Sequence, residues 1–423
     1  MPSIKELRAW EILDSRGRPT VKAACHFESG AVGIASVPSG ASSGRAEAHE
    51  LRDGDALRYG GLGCRKAVGH VNNEMAKVLM GTAFIDQRAL DNALLELDGT
   101  SNKSRLGANA ILAVSLAFSR ACAMEREQPL YQYYAALTSN NQIQLPRPTI
   151  NLFSGGLHAG GQVPIQDVLV VPAAAQTIDE AMSMTYAVFQ AAASLTKKRY
   201  DYRLLRADEG GLAPPFADAD EMLAAAVEAI EAAGYKPGVE VSLAVDVAAS
   251  HFYKEGGYVL DTEPISSKEM IDIVAGWVND YPIVSVEDGL AEEDWDNWKI
   301  LKQQINGKAL VLGDDLLCTN PARIEKAISM NAADALLLKV NQIGSLTEAI
   351  EAFNKARAAG WKVTVSARSG ETEDDWLADL AVGLSGNQIK VGSITQSERL
   401  AKYNRLLVIE AETGMKMESW PRG

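Results

Sequence analysis

Six short apolar runs recur at intervals of roughly 25 to 40 residues in the second half of this chain: VSLAVD, PIVSVED, ALVLGDD, ALLLKVN, KVTVSAR and NQIKVGS. Helix-like sequence separates them, for example EMIDIVAGWVND before the second and LTEAIEAFNKARAAG after the fourth. Strands alternating with amphipathic helices call for parallel pairing, because a parallel connection needs a crossover, whereas antiparallel sandwich strands recur every 8–12 residues. The spacing therefore predicts an α/β fold with a β/α barrel. An open doubly wound sheet is the competitor, and it is weakened because no G-x-G-x-x-G follows any of the runs.

The polar residues that close these runs are Asp246, Glu287, Asp314, Lys339, Arg368 with Ser369, and Lys390. A single Asp in such a place can be no more than the cap of the next helix. In a barrel, however, carboxyl ends of strands converge on one face, so six ionisable endings in succession predict one pocket. Three carboxylates without His or Cys form an all-oxygen donor set suited to a hard divalent cation, with Mg²⁺ preferred. Lys339 and Lys390 have two readings. Near other cations a lysine loses basicity and can act as a general base; alternatively the two lysines neutralise the carboxylates as ion pairs. Carboxylate-held Mg²⁺ beside a lysine base suits abstraction of a proton next to a carboxylate group.

Two loops add to this set. SGASSGRAE (Ser39 to Glu47) could close over a phosphate, and RADEGGLAPP (Arg206 to Pro215) exposes Asp208 and Glu209 ahead of two glycines. Arg368 and Ser369 offer an anion clamp. The first 140 or so residues mix strand-like pieces (TVKAACHF, AVGIASV) with a buried-looking helix, GANAILAVSLAFSRACAMERE, and QIQLPRPTINL reads as the connector. The expected division is an α+β domain at 1–141 and a barrel at 142–423.

The formal net charge of −14 disfavours a nucleic-acid surface, which needs clustered Lys and Arg. Cys25, Cys64, Cys122 and Cys318 are scattered, as reduced thiols are, and no long apolar run indicates a signal or a membrane span. A cytoplasmic protein is expected. His26, His49, His70 and His251 lack carboxylates at ligand spacing and read as structural or exposed, and Trp277, Trp295 and Trp298 read as helix packing.

Long motifs in order, DSRGRPTV, PSGASSG, LRDGD, LDGTSNKSRLGANAILAVSLA, GGLHA, DEGGLAP, VEDGL, GDDLLCTN, KVNQIGSLTEA, RSGETED and IKVGS, make the chain resemble the enolase family almost end to end. The resemblance implies a smaller α+β N-terminal domain, a modified eight-stranded barrel and a homodimer or higher homo-oligomer. It implies that Lys339 takes the C2 proton of 2-phosphoglycerate and that Glu209 helps the C3 hydroxyl leave. One Mg²⁺ would sit on Asp246, Glu287 and Asp314, and a second would be held partly through Ser42. Arg368 and Ser369 would bind phosphate, with Lys390, His158 and Asp167 also at the substrate. The chain departs from the family at Ala367 (usually His), Leu157 (usually Glu), Asp167 (usually Glu) and the basic stretch KKRYDYRLLRA, whose Arg199, Arg203 and Arg206 could meet an additional anion. Three readings follow: a phosphopyruvate hydratase; a retuned relative acting on a different or larger phospho- or phosphono-carboxylate, as in carboxyphosphonoenolpyruvate synthesis; or a non-catalytic binding protein.

Overall fold

The computed structural model describes residues 1–40, 44–138, 142–201, 205–260, 263–305 and 307–421. Three antiparallel strands, β1 (Ile4–Leu13), β2 (Pro19–Phe27) and β3 (Val32–Ser36), form a meander. One face of this sheet packs on the helix Ala108–Glu125, whose small and apolar residues are buried over nearly its whole length. The helix lies so close that a Cβ at Gly33 would fall 1.9 Å from the Ala117 carbonyl oxygen. Only glycine permits that approach. Phe27 and Phe118 seal the layer edge to face, with ring centroids 5.3 Å apart.

The second unit is a closed eight-stranded barrel whose strands follow chain order around the circumference: β4 (Arg147–Ser154), β5 (Asp167–Val171), β6 (Ser242–Asp246), β7 (Ile283–Glu287), β8 (Leu310–Gly313), β9 (Ala335–Leu338), β10 (Lys362–Ser366) and β11 (Gln388–Lys390). The six runs seen in the sequence are β6 to β11, and closure excludes the open sheet. Two strands lay outside that reading. β4 occupies much of the expected connector QIQLPRPTINL, and all eight of its residues are buried. Its prolines imitate a linker, yet the fixed φ of proline is compatible with a strand wherever its missing N–H is not needed. β5 pairs antiparallel with both β4 and β6, whereas the remaining pairs are parallel.

Reversal of β5 decides which residues reach the mouth. Because β5 runs downward, its first residue, Asp167, lies at the end where the other strands finish, in register with Asp246. The β4–β5 hairpin carrying His158 crosses the same mouth. From β5 the chain climbs through the helix Ile178–Tyr200 and descends through Ala219–Ala232, so the intervening Glu209 loop also lies at the top, tied to β4 by Ser154 N–H donating to the Leu212 carbonyl at 2.8 Å. Both helices begin with their first-turn N–H groups capped, by Thr177 and Asp218.

The outer helices bury their apolar faces on the barrel, and Trp277, Trp295 and Trp298 pack there as expected. All four cysteines are buried free thiols. Among the described residues no helix is long and apolar enough to cross a membrane. The two units meet through a backbone pair between Ser39 and Gly370 (2.8 and 2.9 Å) and through Ser15 N–H donating to the Glu371 carbonyl at 2.7 Å. Trp298 is fully buried and its indole N–H donates to the Ala291 carbonyl at 2.9 Å. Trp298→Ala is expected to lower the unfolding free energy by about 3–5 kcal/mol, read as a lower denaturant midpoint.

Candidate active site

One cavity at the barrel mouth is lined by His158, Glu209, Asp246, Asp314, Lys339, Arg368, Ser369 and Lys390, residues that are far apart in sequence. Glu287 and Asp167 stand behind it and bond to these groups. The Lys390 ammonium donates to Asp246 and to Glu287, 2.7 Å from each, and Lys339 donates to Asp314. The ion pairs of the second reading are thus present, and these partners make both lysines more basic than usual in this structure. Burial disfavours the charge on Lys339, but the Asp314 carboxylate outweighs it and raises the pKa; Lys390 is raised further, against the same burial, by Asp246 and Glu287.

The carboxylates divide according to their partners. Burial works against ionised Asp246, yet Lys390 holds its carboxyl at about 2. Glu287 is pushed well above the usual carboxylate range by burial and then by the neighbouring Asp246 charge. Its Oε1 is buried and has no hydrogen-bond partner among the described residues. An orphaned carboxylate oxygen beside Asp246, with Asp314 two strands from Asp246 around the same mouth, is the donor type a hard divalent cation takes, and Asp246, Glu287 and Asp314 would hold one, although the carboxylate atoms that already lie within 4.8 Å of one another belong to other trios. Asp314 is braced from behind by the Gln342 amide, which donates at 2.7 Å. Asp288 and Asp315 also lie close to Asp314, one oxygen from each within 4.8 Å of the others. Both Asp288 oxygens accept from the backbone N–H groups of Asp314 and Asp315, so Asp288 shapes the loop.

Across the mouth, His158 Nδ1 lies 3.1 Å from Asp167 Oδ2, and its Nε2 lies 4.0 Å from Glu209 Oε1. Ser154 Oγ donates to the other Asp167 oxygen at 2.5 Å, and the Asn151 amide donates to Glu209 at 3.0 Å. The shorter Asp167 therefore still reaches His158. Burial opposes the imidazolium, but Asp167 and Glu209 raise His158 to about 9.

Arg368 donates to Glu47 (3.1 Å) and Asn341 (3.2 Å), and the Ser369 hydroxyl accepts from Arg16 at 3.1 Å. Arg399, completely buried, donates to the carbonyls of Arg368 (2.7 Å), Ser369 (2.5 Å) and Val391 (3.0 Å), which locks the loop after β10. Ser42 and Arg203 lie outside the described residues. Arg199 pairs with Glu228 on an exposed helix, and neither it nor Arg206 lines the cavity. Leu157 is 59% exposed and borders a neighbouring groove instead.

Several contributors were not legible in the sequence. Gln166 donates to Asp246 at 3.0 Å from the residue before β5, and Arg16 arrives from the other domain. His251, expected to be structural or exposed, lines the cavity, and burial lowers its pKa. A turn after β6 places it there, so ligand spacing along the chain carries no trace of its position. The DSRG and RSGETED motifs were the only available signal for Arg16.

A family model described as "Enolase, C-terminal TIM barrel domain" matches residues 142–419, and one described as "Enolase, N-terminal domain" matches residues 4–134.

The folded-state pKa of His158, about 9, exceeds its ordinary 6.5. The stabilisation it represents is complete below about pH 6.5 and is lost as pH rises through about 9. The melting temperature is therefore expected to fall between pH 7 and pH 10, and to fall less in His158→Gln.

Proposed function

From the premise that the chain belongs to the enolase family, we propose that it dehydrates a 2-phospho-3-hydroxy carboxylate, with 2-phosphoglycerate giving phosphoenolpyruvate and water. The observation that carries this reading is the placement of Lys339 and Glu209 in one cavity on well-separated sides of the barrel. Lys339 ends β9, while the Glu209 loop is held against β4. A base and an acid on opposing walls suit loss of a proton from C2 and of a hydroxyl from C3 on opposite faces of the substrate.

Lys339, in its neutral form, takes the C2 proton at Nζ. Burial works against the Glu209 charge, but His158 and the nearby cations hold its carboxyl below the usual range, so Glu209, backed by Asn151, passes to the departing C3 oxygen a proton that the His158 imidazolium beside it supplies. Arg368 and Ser369 bind the phosphate, and Arg399 holds their backbone so that the clamp keeps its position. Asp246, Glu287 and Asp314 would hold Mg²⁺, which would supply positive charge for the dianion formed at the substrate carboxylate, and Asp314 so engaged would no longer hold the Lys339 ammonium.

Purified protein given Mg²⁺ and 2-phosphoglycerate should show ultraviolet absorbance growth from the enol product, and chelation should abolish it. Lys339→Ala is expected to lower kcat by about 10²–10⁴-fold. Absence of turnover at high enzyme concentration defeats this reading of the substrate.

A further inference from the structure

We propose that His251 is a specificity-determining residue that hydrogen-bonds a hydroxyl group carried beyond C3, so that the site takes hydroxylated 2-phospho acids longer than three carbons. This rests on the dehydration chemistry proposed above. Both ring nitrogens of His251 are buried without a hydrogen-bond partner among the described residues. Buried polar groups are almost always satisfied, and an imidazole left in this state at the wall of a cavity asks for a partner from the ligand.

Backbone geometry puts the ring there. After Asp246 the chain turns at Ala248, a non-glycine residue at φ 49°, and the short turn Ala249–Phe252 folds His251 back over the cavity, its N–H donating to the Ala248 carbonyl at 3.0 Å. Left-handed backbone at alanine is costly, so the surrounding structure must enforce it. His251 shares the catalytic cavity with His158, Asp246, Lys339 and Ala367. It also borders an adjoining groove of about 690 Å³, lined by Leu157, Val163, Phe252 and Trp277 among others. That groove is bounded by the same hairpin that carries His158, which places it on the side from which the C3 hydroxyl departs. A chain extended past C3 would pass His251 on its way into the groove.

The chemistry of the extension follows from the ring. A neutral imidazole presents one donor and one acceptor on opposite sides of the ring, and a hydroxyl group can bond to whichever nitrogen faces it in either tautomer, whereas a carboxylate only accepts and an ammonium only donates. The expected substrate is thus a 2-phosphotetronate or a longer homologue. Its C2–H proton passes to Lys339, the C2=C3 double bond forms, and the C3–O bond breaks with a proton from Glu209 to release water. The distal hydroxyl is unchanged.

The test compares a 2-phosphotetronate bearing a C4 hydroxyl with its 4-deoxy analogue, both with Mg²⁺, which separates the hydrogen bond from chain length. The kcat/KM ratio should favour the hydroxylated acid in the native protein and drop by about 5- to 150-fold in His251→Leu, with part of the preference kept in His251→Gln, which retains a donor and an acceptor. An unchanged ratio in His251→Leu overturns the proposal. If neither acid is turned over, the reaction assignment fails separately, and binding decides: the hydroxylated acid should raise the melting temperature more than its deoxy analogue in the native protein and equally in His251→Leu. Equal shifts in the native protein overturn the assignment of His251.

Discussion

Lys390 joins two neighbouring strands by placing one ammonium between Asp246 and Glu287 in a fully buried position. Burial works against every charge in this triad, and the Lys390 ammonium is held by its two carboxyl partners. Removing one partner from a buried pair typically costs about 3–5 kcal/mol, since the remaining charge is stranded away from water. Lys339 and Asp314 repeat the arrangement nearby. The mouth of the barrel is consequently held together by the groups to which the chemistry is proposed, and its electrostatics cannot be altered at one residue without consequence for the others.

The reversed strand β5 is the second constraint. Had it run parallel to its neighbours, Asp167 would lie at the far end of the barrel, away from Asp246. Antiparallel pairing on both sides places Asp167, His158 and Glu209 together at the mouth, opposite the lysine wall. Carboxylates and an imidazole thus occupy one side of the cavity, and a lysine with its aspartate occupies the other. This separation is what the proposed acid and base roles require of one site.

The N-terminal domain enters through the loop after β10. Arg16 reaches Ser369, Glu47 reaches Arg368, and a Cβ on Gly370 would meet the Asp14 carboxylate at 2.3 Å and the Arg16 guanidinium at 2.4 Å. Glycine at 370 is therefore a condition of domain contact. The proposed anion clamp leans on both domains, although Arg368 and Ser369 lie in the barrel sequence.

Periodicity favoured the barrel and its convergent strand ends over an open sheet, and the family resemblance added the eight-stranded closure, because a residue's place at the end of an apolar run survives folding unchanged. Asp246, Glu287, Asp314, Lys339 and Lys390 were legible for that reason. Tertiary structure decided what periodicity could not carry. β4 was hidden by its prolines, β5 by a direction that alternation does not encode, and His251 by a turn that swings it back over the cavity. Arg16 and Arg399 depend on packing between distant elements. The raised basicity of the lysines was also set there, because a pKa follows from which charge ends up nearest in space, and in this fold the nearest charges are carboxylates.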